Sequence, residues 1–544
     1  MKLMKKRLSL GLDLSTQSLS AVVLDIDTPT KLAENSLDYI KDTRLDTFGI
    51  RQEDYILPPS IEGEADQPPL MFLAALDAMF SDLKQAVSLE DIDVINVSGQ
   101  QHGHVYLNHE APSIFAGLQK ENTEKSSLAA LLKHAFAYER APIWMTANTR
   151  EQAGFIRNAV GGKERLIKLS GSDAQLRFTG IVVRRTAEHQ PDVYNRTAII
   201  QLLSSFFPAV LTANANVPAD FGNACGMTLV NYRRKRWSDA LLQAVSEGLP
   251  GGKNALLHKL PPLAAPDSTV GPIAAYFARK YGFSPDCRIV AGSGDNPQSK
   301  VLVVGDLLSL GSSFVNMVST DGKTLDYSGA SCGMYDGIGR PFMFGCRTNG
   351  ALVWDRIRAL YGMDKEDYAP AEAALQRASI GSNCVFWQPR IESFPPSGSY
   401  DLIRIGDVTP GLENDYTGII ESSLASVFHH SRNFSTAGAS PLYVMGGATG
   451  SPGIIRRVAA IWDRPVVVTE KAGAALGAAV AGVSALLKSE GKSIDIEPLC
   501  KALVHRGEVI HPVPADVAIF HNPGGYLDRF AIEEEKLLGK YPLE

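Results

Sequence analysis

The sequence predicts an α/β protein of two related halves, on three observations. Strand-like runs such as SAVVLDID, DVINVSG and RIVAGSG alternate with amphipathic stretches such as LMFLAALDAMFSDLKQAV, the pattern of layered α/β units. A Pro- and Gly-rich segment from Leu249 to Pro272, LPGGKNALLHKLPPLAAPDSTVGP, interrupts that alternation and predicts domains over 1–270 and 271–544. Each half carries the letters LSLG near its start, at Leu8–Gly11 and Leu308–Gly311.

Taken in chain order, the first half opens with an apolar strand and a turn of small and hydroxyl residues, GLDLSTQS, and the second with its counterpart, GSSF. Such turns expose backbone N–H and short O–H groups with little bulk, which suits phosphate oxygens. Either turn alone is more simply a hairpin with a solvated tip. The basic opening MKLMKKR precedes an apolar run that Asp13 ends, too short for a secretory signal. Toward the C-terminus, YVMGGATGSPG is a strand running into glycines and then a helix, where a ring or phosphate can approach the backbone. The uncharged run AGAALGAAVAGVSALL, Ala472–Leu487, falls short of the roughly 20 residues of a membrane span. It predicts a buried helix whose small residues let a neighbouring backbone come close.

Composition narrows the function classes. At 544 residues the chain exceeds one ordinary core, since domains run to roughly 100–250 residues. With 45% hydrophobic and 21% charged residues it reads as globular, and a net charge of −6 with scattered Lys and Arg argues against nucleic acid as a partner. Six cysteines without C-x-x-C spacing predict a reducing cytoplasm and no structural zinc. Neither G-x-x-x-x-G-K-[ST] nor a strand-to-helix G-x-G-x-x-G is present, which disfavours P-loop and dinucleotide folds.

Eight segments in order carry a resemblance to a known family: GLDLSTQS (11–18), VSGQQHGHVYL (97–107), APIWM (141–145), LRFTG (176–180), DFGNACGM (220–227), GSGDNP (292–297), LSLGSS (308–313) and GGATGSPG (446–453). Together they resemble the FGGY carbohydrate kinases. The resemblance implies two actin-like, ribonuclease H-like ATPase domains with a catalytic cleft between them, the first holding sugar and the second ATP. One turn from each half would grip the nucleotide, and the halves would close about the segment near 270. It implies ATP-dependent phosphorylation of a ketopentose, and the QQHG and GDNP pair points to D-xylulose rather than glycerol. L-ribulose, D-ribulose or another polyol, a non-kinase actin-like ATPase and a silent sugar-binding relative stay open. ATP, Mg²⁺ and a small sugar are the expected ligands, without nucleic acid or membrane, and a homodimer is left open.

Carried over residue by residue, the resemblance puts the general base at Asp220, because an alcohol needs a carboxylate to take its proton as it attacks phosphorus. Read without the resemblance, Asp220 is a capping Asp in a turn. Asp13 would hold Mg²⁺ against the phosphates, its alternative being an Asx-turn. Thr16 and Gln17 would donate near the transferred phosphoryl group. Gln101, His102, Arg177, Asp295 and Asn296 would bind the sugar and Trp144 cover it, although a core Trp fits the same letters. His102 and His104 alternate on a strand, but no third metal ligand accompanies them. Gly311, Ser312 and Ser313 would face the ATP phosphates, Gly446 and Gly447 the adenosine, and Ser451 its adenine or ribose. Tyr368 is a stacking candidate or a core aromatic. The chain departs from the xylulose-phosphorylating pattern at Thr146 and Asn223, where Asp is frequent, and at Arg184 and Arg185, which stand where a Lys motif is expected.

Overall fold

The computed structural model describes residues 6–406 and 408–543, so residues 1–5 of the basic opening lie outside the described residues. The chain divides into two compact units: 1–302 with 333–341 and 472–503, and 303–332 with 342–471 and 504–544. This division differs from the expected cut at 270. The strand Arg288–Val290 pairs in parallel with Ile92–Gly99, which keeps the chain in the first sheet beyond 270. The helix Ala474–Ser489 returns to the same sheet.

In the first unit, six strands run in the order Thr269–Pro272, Arg288–Val290, Ile92–Gly99, Leu8–Leu14, Ser18–Asp25, Thr30–Asp38. Leu8–Leu14 and its two successors form an antiparallel meander, while Ile92–Gly99 lies parallel to Leu8–Leu14. In the second unit, Pro341–Arg347, Phe314–Ser319, Leu307–Leu310, Leu442–Met445, Val466–Thr469 and Arg506–Ile510 follow one another. Again the first three strands in sequence are antiparallel and the next two join in parallel. The two halves thus repeat one topology.

The four shared letters do not mark equivalent points of that repeat. Gly11 lies mid-strand opposite Val22, and the first turn comes only at Ser15–Ser18. Gly311 instead opens its turn directly after Leu307–Leu310. Gly11 is small because the helix Ala474–Ser489 crosses its strand, where a Cβ would lie 2.0 Å from Ala475 O. The same helix accepts hydrogen bonds at Ala479 O from Ser9 Oγ (2.7 Å) and at Ala478 O from Asn96 Nδ2 (3.0 Å). The predicted small-residue helix is therefore real, and its carbonyls take side-chain donors from the sheet that it touches. No helix among the described residues is long and apolar enough to cross a membrane, and no disulfide joins any of the six cysteines.

Candidate active site

The first unit gathers its polar residues where strands end. Asp220 ends the two-residue strand Ala219–Asp220 and caps the helix Phe221–Ala224. It is 0% exposed. Its Oδ2 accepts from Asn223 N (2.8 Å) and Ser293 Oγ (2.9 Å), while Oδ1 is buried without a partner. Burial pushes the carboxyl up to about 7, offset in part by those bonds. Capping and a free basic oxygen thus coexist in one side chain. Gly222 keeps the cap tight: a Cβ there would lie 2.6 Å from Tyr335 O and 2.9 Å from Asp220 Oδ2.

Asn223 and Gln101 extend the network. Asn223 Nδ2 donates to Ser204 Oγ (2.9 Å), and its Oδ1 accepts from Gln101 Nε2 (3.3 Å). Gln101 Oε1 accepts from Asn296 Nδ2 (2.8 Å), and the Gln101 N–H donates to Asp295. Gly294 leaves room for this, since a Cβ would meet Gln101 Cγ at 2.6 Å. Asp13 Oδ1 accepts from Ser98 Oγ at 2.6 Å. Asp13 and Asp295 each keep part of their surface open. Desolvation still raises Asp13 to about 7, with the negative charge of Asp295 adding to it, and Asp295 to about 6.

His102 adopts φ +68° and packs its ring 4.7 Å from Phe178, with Nδ1 3.2 Å from Gly226 O. Burial, and then the charge of Arg177, hold it down near 3, so the imidazole is neutral. With Nδ1–H donated to Gly226 O, its Nε2 is an acceptor. No residue of the described chain bonds the partly exposed Arg177 guanidinium. His104 is no metal partner for His102: its Nδ1 faces His102 O (3.0 Å) and its Nε2 faces Tyr106 OH (3.0 Å). No group of three or more potential metal-binding His, Cys, Asp or Glu side chains occurs among the described residues.

Trp144 is 46% exposed, which removes the core alternative, and its Nε1 donates to Thr16 Oγ1 at 2.9 Å. Thr16 Oγ1 in turn donates to Gln100 Oε1 (3.0 Å), so the hydroxyl proton expected for a phosphate is already committed. Gln17 is exposed at the tip of the turn. The departures have local roles. Thr146 is buried and donates to Ala65 O (3.2 Å). Arg184 bonds Val245 O and Glu247 O, and Arg185 bonds Asn148 O and Glu64.

In the second unit, a cavity of about 550 Å³ opens beside Gly311, Ser312, Tyr368, Gly447 and Ser451, a size suited to a nucleoside phosphate. Gly446, at φ +108°, lets the turn pass: a Cβ would lie 2.4 Å from Leu310 O. Ser312 and Ser313 are exposed, whereas the Gly311 N–H is spent on Ser313 O (3.2 Å). Ser451 Oγ accepts from Ile454 N (3.2 Å) and donates to Glu372, so it builds the wall and has no proton for a nucleoside. Tyr368 is 56% exposed, with Arg358 stacked 3.8 Å from its ring centroid, so it is not a core aromatic.

Ser98, Ser293, Gln100 and Glu372 bond the candidate residues directly, and no sequence motif marks them individually. The two serines and Gln100 lie inside quoted motifs, beside candidate residues. Glu372 lies on the helix Ala369–Arg377, for which the sequence offered no motif.

Residues 122–301 match the model of the N-terminal domain of the FGGY family of carbohydrate kinases. "Xylulose kinase 2" of Arabidopsis thaliana is 35% identical over 312 residues, 56% of this chain and 53% of that protein, so the match spans about half the relative's length. "Xylulose kinase" of Schizosaccharomyces pombe is 26% identical over 526 residues, 90% of this chain and 91% of that one. In structure, the xylulose kinase of Rhodospirillum rubrum superposes with TM-score 0.77 at 17% identity, covering 98% of this chain and 99% of the other. That likeness speaks for the fold, which is the two-domain actin-like one. With the family's N-terminal domain matched over 122–301 and a relative aligned along nine-tenths of both chains, the chain is similar to the FGGY family of carbohydrate kinases.

Proposed function

We propose that the protein transfers the γ-phosphoryl group of ATP to a hydroxyl of a ketopentose, D-xylulose, yielding D-xylulose 5-phosphate and ADP. The observation that carries this reading is Asp220: one oxygen pinned by Ser293 and Asn223, the other buried, unpartnered and of raised basicity. The sugar hydroxyl gives its proton to Oδ1 as its oxygen attacks the γ-phosphorus, and the bond to the β–γ bridging oxygen breaks. Around it, the neutral His102 accepts from a second hydroxyl, Arg177 donates to the carbonyl or a further hydroxyl, and Asn296, whose Nδ2 is taken by Gln101 and Asp295, offers its Oδ1 as an acceptor. A polyol with its hydroxyls misplaced leaves such buried groups unpaired, which is the physical source of selectivity.

The nucleotide belongs to the cavity of the second unit, its phosphates near Ser312 and Ser313. Asp13 and Asp295 repel one another as carboxylates, a donor set that suits Mg²⁺, which when bound would neutralise phosphate charge. Six cysteines with no disulfide among them suit a reducing cytoplasm.

The test is ADP release with Mg-ATP against D-xylulose, L-ribulose, D-ribulose, glycerol and no sugar. Strong turnover with D-xylulose alone is expected. Equal ADP release in every tube would overturn the kinase reading, and turnover confined to another sugar would overturn the substrate.

A further inference from the structure

The turn at Ser15–Ser18 and the exposed indole of Trp144 are joined by a closed chain of hydrogen bonds. Trp144 Nε1–H donates to Thr16 Oγ1 (2.9 Å), and Thr16 passes its own proton to Gln100 Oε1 (3.0 Å). Gln100 Nε2 donates to Gln67 Oε1 (2.7 Å), and Gln67 Nε2 returns to Thr16 O and Tyr55 O, each at 2.7 Å. The directions are fixed at the far end: Gln67 faces two carbonyls and must give them its NH2, so its Oε1 accepts from Gln100 Nε2, and Gln100 Oε1 takes the single proton of Thr16 while the indole donates to Thr16 Oγ1. Gln67 and Gln100 are buried, 0% and 1% exposed, where an unmade bond is costly.

This ring settles what the turn can offer a ligand. The Thr16 hydroxyl is spent at both ends. The backbone N–H groups of Thr16 and Gln17 form no hydrogen bond with the rest of the described chain, and they are the donors left for an anionic oxygen. Their direction is fixed by Thr16, which is gripped at its carbonyl by Gln67 and at its hydroxyl by Trp144 and Gln100.

We propose that Trp144 is a positioning residue for the phosphate turn: through Thr16 Oγ1 it aims the Thr16 and Gln17 N–H groups at the terminal phosphate of the nucleotide. The indole that covers the sugar therefore also orients the group that receives the phosphoryl oxygens. The proposal takes its ligands from the kinase reading, but the strut can be tested without sugar turnover.

Two measurements decide it. In a TROSY spectrum the five indole N–H groups give separate resonances, and the one lost in Trp144→Phe is that of Trp144. It should shift upfield in Thr16→Val, which removes the acceptor, and return toward its place in Thr16→Ser. The second is the ratio of affinities for a non-hydrolysable ATP analogue and for ADP. Trp144→Phe keeps a ring but no donor, and should lower that ratio at least fivefold. Thr16→Val, which also strands Gln100 Oε1, should lower it at least as far, and the double variant no further than Thr16→Val, because the Trp144 bond is already absent there. In turnover, Trp144→Phe should lose kcat about tenfold with the sugar KM within threefold.

An indole resonance indifferent to Thr16→Val, losses that multiply in the double variant, or a raised sugar KM at unchanged kcat would each overturn the strut. A wild-type protein that phosphorylates no sugar would overturn the kinase reading instead, leaving the affinity ratio to judge the strut.

Discussion

At Asp220 the two carboxylate oxygens have different fates, and both can be probed. Oδ2 is bonded by Ser293 and by the Asn223 amide; Oδ1 is bare. The Ser293 bond favours the ionised form, so Ser293→Ala should push the carboxyl above about 7. The acid limb of a kcat/KM profile should then move to higher pH, with activity falling at pH 7 and recovering by pH 8.5. An unmoved limb would mean that another group governs it. The same shift has a sign for stability. Asp220 is raised above its unfolded value, so the fold is favoured below about pH 4 and loses that advantage as pH rises through about 7. Asp220→Asn does not titrate, so its melting temperature should rise relative to wild type from pH 4 to 7 and level off above. A gap constant across that range would contradict the buried, protonatable carboxyl. Asp220 could be singled out from the sequence because DFGNACGM is one of the segments that resemble the FGGY kinases. The Ser293 partner could not, since a serine in GSGDNP carries no mark of a side chain that reaches across to residue 220.

Among the elements, the helix Ala474–Ser489 shows what composition can reveal. Its Ala and Gly content predicted a close backbone neighbour, and the neighbours are Gly11 on its strand and Gln298, whose carbonyl would lie 2.0 Å from a Cβ at Gly477. Gly477→Val should cost several kcal/mol or prevent folding, as overpacking against rigid backbone does; a melting temperature within 2 °C of wild type would refute that packing. The nucleotide turn makes a parallel prediction. Gly446→Ala, at φ +108° and against Leu310 O, should weaken ADP binding at least tenfold by calorimetry with D-xylulose turnover reduced to match. Unchanged ADP affinity would remove the cavity at Gly447 and Ser312 from the account. Less legible was which donors each turn has to spare. The hydroxyls of Thr16 and Ser451 and the amide of Gly311 fit a phosphate or nucleoside by type, yet each is bonded within its own unit. Such commitments depend on residues distant in sequence, such as Gln100 and Glu372.

For the molecule as a whole, one sheet topology occurs twice, and the sequence expressed this through alternating strands and helices more faithfully than through its matching letters. LSLG falls mid-strand in one half and against the turn in the other. The domain boundary was obscured because the chain re-enters the first unit at Gly333 and again at Ala472, crossings that leave no compositional trace. The Asp220 network lies in one unit and the cavity beside Gly447 and Ser312 in the other, and the proposed reaction gives the first to the acceptor and the second to the nucleotide. Asp220→Asn should therefore slow transfer by about 10²-fold or more while leaving ADP affinity within about twofold.

The central claim is that Asp220 activates a sugar hydroxyl for phosphoryl transfer. ³¹P NMR of the protein with Mg-ATP and D-xylulose distinguishes its products directly. The wild type should build a phosphate monoester as ATP becomes ADP, and Asp220→Asn should slow that signal by about 10²-fold or more, the scale of a lost general base. Inorganic phosphate in place of the monoester, or a monoester formed equally fast by the variant, would contradict the account.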